Sequence, residues 1–291
     1  MIVIKFGGSA VKDAPAMQKV IDWVKGEVAK GSMPVVVVSA LALVTNHLTE
    51  VSELIRDGKL AAAHHLLNSI ARRHDYMALS LWLHMGNRLR NEFERLKSVV
   101  LNGNFPRFMD EVLAAGELAS SQLLTEVLCR VGLQSQWIDA REVIITDDKH
   151  TEANPDWDAT QERARAIILP VVKRGIVPVI GGFIGSTGDG VTTTIGREGS
   201  DLTATLLGAC LGAREVHKLT DVDGIMTGDP RHDKTARTRS RLTFQDADEF
   251  ARTAGMLHPR TIQPLLVSGI PLVIRNINKP EHPGTRIANG N

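Results

Sequence analysis

Residues 34–40 read "PVVVVSA", and the four consecutive valines decide the fold. A half-buried strand alternates apolar and polar side chains. A strand with β-branched apolar groups at every position is buried on both faces, as in a parallel sheet covered by helices. Before this strand, Gly31 closes a helical segment over 14–30, "APAMQKVIDWVKGEVAK", in which Met17, Val20, Ile21, Val24 and Val28 share one face. Ahead of it, "IVIKF" (2–6) is a second strand. Downstream, "SQWIDA" (135–140), "IVPVIGG" (176–182) and "REVHKLT" (214–220) are strands of the same kind. The helical segments "QERARAIILPVVKRG" (161–175) and "SDLTATLLGACLGA" (200–213) separate the later ones. This alternation predicts an α/β fold with a mainly parallel central sheet.

Residues 47–115 interrupt the rhythm. Leu48, Val51, Leu54 and Ile55 fall in helical register and two leucine-rich segments follow, so the stretch reads as a helical insertion packed on the sheet or at a subunit interface. With 291 residues and no Gly/Ser/Pro linker, the chain reads as one domain with two lobes, 1–190 and 191–291. The 34 basic and 33 acidic side chains leave a net charge of +1, which argues against a general nucleic-acid binder. Cys129 and Cys210 form neither a CxxC pair nor zinc spacing, and both are expected as small buried core residues. No basic-then-apolar leader and no apolar run of membrane-span length is evident, so a cytoplasmic location is expected.

Four glycine-bearing turns follow strands: "KFGGSA" (5–10), "GGFIGSTGDG" (181–190), "GREGSD" (196–201) and "TDVDG" (220–224). In a parallel sheet such turns gather at the C-terminal edge, where ligands bind. Glycine lets backbone N–H groups approach an anion. Neither GxxxxGK[ST] nor GxGxxG with its acidic partner is present. Lys5 either reaches solvent or neutralises a phosphoryl group in transfer, and Gly7 and Gly8 favour the second. In "GREGSD", Ser200 or Asp201 could cap the following helix, whereas Arg197 suits bidentate binding of a carboxylate. An aspartate beside phosphate would orient a lysine or a metal. Glu117, in "AAGELASSQLL" (114–124), is expected near a helix start, either solvated or holding a substrate ammonium. Ser39, Thr45 and Asn46 after the valine strand are turn residues or donors to substrate. Asp221 and Asp223 make a turn or meet a nucleotide, with Arg231 beyond them on the phosphates. His64 and His65 are adjacent, hence splayed on a helix, and no protein metal site is expected there.

The run of motifs resembles the catalytic domain of aspartate kinases, within the amino acid kinase family. It covers nearly the whole chain: "KFGGSA", "VVVVSALALVTNHL", "GELASSQLL", "WIDAREVIITDD", "PVIGGFIG", "TTTIGREGSDLTA", "TDVDGIMTGDPR", "LHPRTIQPL" and "PGTRI". The resemblance implies a three-layer αβα sandwich and transfer of the ATP γ-phosphoryl group to the β-carboxylate of L-aspartate, toward lysine, threonine and methionine. It implies Lys5 as the catalytic cation with Asp201 positioning it, and Thr45, Glu117, Arg197 and Ser200 around aspartate. Gly7, Gly8, Ser9 and Ser39 would line the phosphate path, and Thr220, Asp221, Met226 and Arg231 the nucleotide. Mg²⁺ would arrive on the nucleotide phosphates, and a homodimer is expected. The lobes would divide as acceptor lobe 1–190 and nucleotide lobe 191–291.

Three positions depart from the family pattern. Gly255 in "TAGMLHP" replaces a common lysine, Met226 a common tyrosine, and Leu43 a small residue. Lys218 or Lys234 could supply the missing cation. Because the sequence stops after "PGTRIANGN", no ACT domain and no internal feedback by lysine or threonine is expected. Two alternatives stand beside this reading: a same-fold kinase for another carboxylate acceptor, and a regulatory homologue without catalysis.

Overall fold

The computed structural model describes residues 1–83, 93–94, 96, 107–228, 235–254 and 257–289. Strand β1 (Ile2–Phe6) leads through a short 3-10 turn (Gly8–Val11) into helix α1 (Ala14–Ala29). Asp13 caps that helix, accepting from Ala16 N at 2.8 Å, and Gly31 ends it at φ +77°. Strand β2 (Pro34–Val38) follows, then helices α2 (Val44–Arg56), α3 (Leu60–Ser80) and α4 (Arg107–Arg130). Next come β3 (Ser135–Ile138), β4 (Ile145–Thr146), α5 (Trp157–Lys173) and β5 (Val177–Gly181). A hairpin of β6 (Ile184–Thr187) and β7 (Thr192–Thr194) precedes α6 (Gly199–Leu211) and β8 (Val216–Thr220). The chain then adds β9 (Arg241–Leu242), α7 (Phe244–Ala254), α8 (Pro259–Ser268), β10 (Leu272–Asn276) and β11 (Thr285–Ile287).

The central sheet runs β3-β5-β2-β1-β8-β10-β11-β9, and every pairing in it is parallel except β10 with β11. All five residues of β2 are buried, as four valines in a row require. Alternation splits the apolar side chains between two cores. Ile2, Ile4, Phe6, Val36 and Val38 join one with α1, α2 and α3; Val3, Val35 and Val37 join the other with α5, α6 and α8. The three layers follow directly. Strand β1 is central, and α6 packs across β1 and β8. The packing is close: a Cβ on Gly208 would lie 2.4 Å from Val216 Cγ2, so only glycine lets α6 settle on β8.

The structure corrects the sequence reading in four places. Helix α4 begins at Arg107 rather than near residue 114, so Glu117 sits mid-helix and the 47–115 segment ends inside a helix of the sheet's own layer. Residues 84–92, 95 and 97–106 of that segment lie outside the described residues. Helix α4 is long and apolar enough to span a membrane, which the sequence reading did not register; 89% of its most apolar window is packed inside the protein. Lastly, Cys129 is exposed near the end of α4, while Cys210 is buried in α6 as expected. A small three-stranded sheet, β4-β6-β7, was also not foreseen.

Candidate active site

The site forms where the glycine turns meet over β1 and β8. These strands pair in parallel with Lys5 opposite Lys218, so both side chains leave the same face of the sheet. Above them, the first turn of α6 presents Asp201. Lys5 Nζ lies 2.7 Å from its Oδ1 and Lys218 Nζ 2.6 Å from its Oδ2, giving one carboxylate gripped at both oxygens by two ammoniums. All three side chains are largely buried, at 11%, 17% and 5% exposure. Burial alone would push the Asp201 carboxyl up, but attraction to Lys5 and Lys218 outweighs it and holds the group down at about 2.

Glu117 approaches from α4. Its Oε1 accepts from Ala40 N at 3.2 Å, but Oε2 is buried with no partner. Burial pushes this carboxyl up to about 8, against the opposing pull of the Ala40 N–H and of Lys5. In the empty site near neutral pH, Glu117 is therefore mostly protonated. A cation placed against Oε2 would restore its charge.

The backbone that carries these groups is tightly packed. Gly182, just after β5, sits where a Cβ would come within 2.6 Å of Ser200 Cβ and 2.7 Å of Ser200 Cα. The preceding Gly181 rests on the Glu117 backbone. Gly7 adjoins Lys5 Nζ, and Gly8 backs onto the Ala40 carbonyl and Ala42. Ser39 N donates to Phe6 O at 3.1 Å, and Ser39 O accepts from Ser120 Oγ at 2.8 Å. Contacts thus join Lys5, Gly7, Gly8, Ser39, Glu117, Ser200 and Asp201 into one cluster. Ser9 is exposed in the turn after β1. Thr45 stands half-buried in the first turn of α2, beside Val44, which packs against α4 at Gly116. Leu43, which precedes α2, is left-handed at φ 68° and 63% exposed.

Arg197 is exposed at the tip of the turn between β7 and α6. That turn is held from beneath by groups the sequence reading missed. Asp110, fully buried on α4, accepts from Thr194 Oγ1 at 2.5 Å, from Thr151 N at 3.0 Å, and pairs with His150 Nδ1 at 2.6 Å. Thr151 has φ 72°, a strained value for a β-branched residue. From the opposite side, Arg260 donates to Ile195 O and Ala153 O, both at 2.9 Å. The available signal was spacing: Asp110 and Glu117 are seven residues apart, on one face of an otherwise apolar helix.

The nucleotide-side candidates lie farther along β8. Thr220 Oγ1 donates to Asp221 Oδ1 at 3.2 Å. Asp223 is occupied structurally, accepting from Asn276 Nδ2 at 2.6 Å and Lys279 Nζ at 2.7 Å. Met226 is bridged to Thr238. Arg231, Lys234 and Gly255 lie outside the described residues. Among the described residues no group of three His, Cys, Asp or Glu side chains is placed to hold a metal ion, and His64 and His65 lie on α3.

Chemically, the lysine pair beside glycine turns suits a phosphoryl group. A buried acid with a bare oxygen suits an ammonium, and an unpaired exposed guanidinium suits a carboxylate. Comparison with known proteins points the same way. Residues 1–276 match the amino acid kinase family. The chain is 36% identical to lysine-sensitive aspartokinase 3 of Escherichia coli over 301 residues, covering 99% of this chain and 64% of the relative. The crystal structure of E. coli aspartokinase III in complex with aspartate and ADP superposes with a TM-score of 0.83, covering all of this chain and 65% of that one. The aspartate kinase of Clostridium acetobutylicum superposes at 0.84 with 27% identity, covering 99% and 63%. The chain therefore spans about two thirds of the length of these relatives.

Proposed function

The chain belongs to the amino acid kinase family, and from that premise we propose that it transfers the γ-phosphoryl group of ATP to the β-carboxylate of L-aspartate, yielding 4-phospho-L-aspartate and ADP. The observation that carries this is the Lys5–Asp201–Lys218 arrangement set beside the bare Oε2 of Glu117. The site then offers cations to the phosphoryl group and an acid to the acceptor's ammonium, as a zwitterionic acceptor demands.

In this reading Lys5 neutralises charge on the phosphoryl group in flight, an effect on the order of 3 kcal/mol for a preorganised donor. Asp201 fixes the Lys5 ammonium in place. Glu117 binds the acceptor's ammonium and loses its proton as it does so. Arg197 grips the α-carboxylate, with Ser200 and Thr45 as hydroxyl donors. Gly7, Gly8, Ser9 and Ser39 line the phosphate path, and Thr220, Asp221, Met226 and Arg231 serve the nucleotide in a lobe formed by residues 191–291. With no protein cage among the described residues, Mg²⁺ would travel on the nucleotide phosphates, where it supplies charge neutralisation. The product would feed lysine, threonine and methionine synthesis.

The test is direct. Purified protein with Mg²⁺-ATP and L-aspartate should form aspartyl hydroxamate when hydroxylamine traps the acyl phosphate. Lys5→Ala should abolish the signal while circular dichroism stays native. Absence of turnover by well-folded wild type would sink the reading, and preference for another amino acid in a panel would redirect it.

A further inference from the structure

Leu43 stands where the family pattern commonly has a small residue, and its backbone is left-handed at φ 68°. In that conformation Cβ lies too close to the following carbonyl oxygen, a clash that glycine avoids. The Leu43 side chain is 63% exposed, so its own packing does little to offset the strain. A strained residue of this kind persists where its surroundings hold it in place.

The turn that Leu43 closes is a wall of the site. Residues 39–43 join β2 to α2, and within them Ala40 N donates to Glu117 Oε1 at 3.2 Å. Ala40 O and Ala42 pack on Gly8. Past Leu43, Val44 N donates to Leu41 O at 2.9 Å, and the first turn of α2 carries Thr45. The start of the turn is tied by Ser39, whose N–H donates to Phe6 O and whose carbonyl accepts from Ser120 Oγ. Its far end is tied from the helical insertion: Arg73 on α3 donates from Nη1 to Ala42 O at 2.5 Å. That carbonyl belongs to the peptide unit whose rotation sets φ of Leu43, and a charged donor makes the stronger kind of hydrogen bond. Arg73 is mounted on a fixed element, because Ile70, His74 and Met77 on the same helix are buried and α3 packs along α2.

Resting on the reading of Glu117 and Thr45 as acceptor-binding groups, we propose that Arg73 is a positioning residue for the acceptor pocket. It locks the Ala42–Leu43 peptide in the left-handed turn, and so keeps Ala40 N on Glu117 and Thr45 in place at the start of α2. The helical insertion thereby has a part in the site, although Arg73 acts through the turn and not on substrate. Leucine at position 43 makes the turn depend on this clamp, whereas glycine there would hold the same conformation unaided. Lys5, Asp201 and Lys218 are carried by β1, α6 and β8 rather than by the turn. Loss of the clamp should therefore weaken acceptor binding and spare the chemical step.

A double-mutant cycle on the full chain tests this. Arg73→Met keeps the aliphatic stem and removes the donor; it should raise the aspartate KM roughly tenfold, with kcat and the ATP KM held within about threefold. Leu43→Gly alone should leave all three within about twofold of wild type. Combined with Arg73→Met, it should bring the aspartate KM back to within about threefold of wild type, because the strain that called for the clamp is gone. If Arg73 merely helped α3 to pack, a change at position 43 would repair nothing. An aspartate KM for Arg73→Met within about twofold of wild type, or a raised KM that Leu43→Gly fails to repair, overturns the proposal. Hydrogen exchange read by mass spectrometry follows the turn without activity: amides of residues 39–43 should exchange at least about tenfold faster in Arg73→Met, and unchanged exchange overturns the proposal. Should Arg73→Met not fold, Arg73→Lys, which keeps the charge and loses the planar fork, takes its place in both measurements with the same directions expected. Wild type that forms no hydroxamate refutes the phosphoryl-transfer reading, and the exchange result then judges the clamp by itself. Wild type that turns over beside an Arg73→Met protein with unchanged KM and exchange refutes this inference alone.

Discussion

Raising the pH should destabilise the empty protein through a single buried acid, Glu117. Its carboxyl is held up at about 8, chiefly by burial, against an ordinary value of 4.5. Between these values the folded chain keeps a proton that the unfolded chain has released, so the unfolded state binds fewer protons and stability falls as pH rises. The contribution is fully favourable below 4.5 and is lost progressively up to 8. At about 1.4 kcal/mol per pH unit, the whole interval amounts to about 5 kcal/mol. Glu117→Gln keeps the shape and cannot ionise. Urea denaturation of both proteins from pH 5 to pH 9 isolates the term, because every other titrating group is shared. The difference in unfolding free energy should move in favour of glutamine by several kcal/mol as pH rises. A difference that stays flat across the range would show that Glu117 is ionised in the empty fold, and the argument for a neutral acid awaiting an ammonium would fail with it. The same property predicts proton release on acceptor binding near pH 7, read by calorimetry in buffers of unequal ionisation enthalpy.

Other expectations concern packing and exposure. Gly182→Ala forces a Cβ into the Ser200 backbone, so it should cost about 1–3 kcal/mol in thermal or urea unfolding and raise the aspartate KM by roughly tenfold or more; an unchanged KM would mean Ser200 lies outside the acceptor pocket. Asp110→Asn leaves Thr194, Thr151 and His150 competing for one oxygen, with an expected loss of about 1–3 kcal/mol and a weaker aspartate affinity through the turn bearing Arg197; stability measured by denaturant and KM by the trap assay decide it. At neutral pH a maleimide should label exposed Cys129 and spare buried Cys210, whose thiol burial pushes up to about 12. Mass spectrometry should count a second label only after denaturation.

Strand-bearing segments were the most legible part of the chain. The four valines, "IVIKF" and "REVHKLT" carry their burial in composition, and each became a strand of the parallel sheet. The β6–β7 hairpin was not legible, because "IGST" and "TTT" are short, and β7 is buried by packing on α4 rather than by its own pattern. The start of α4 was misplaced for a related reason: "RFMDEVLAAGEL" is apolar on several faces at once, and only packing on both sides reveals one continuous helix.

The chemistry the chain could carry was already written in its residues: a lysine closing the first strand before two glycines, an Arg–Glu–Gly–Ser–Asp turn opening a helix, and a glutamate in an apolar helix. Local side-chain chemistry is a property of residues, and it survives without coordinates. Only the tertiary structure decided that Lys218 stands beside Lys5 on one carboxylate, that Glu117 is stripped of water on one oxygen, and that Asp110 and Arg260 brace the arginine turn from opposite sides. Strand register, desolvation and approach of distant segments set those outcomes, and each arises from contacts among residues a hundred or more positions apart in several cases, which no local pattern encodes.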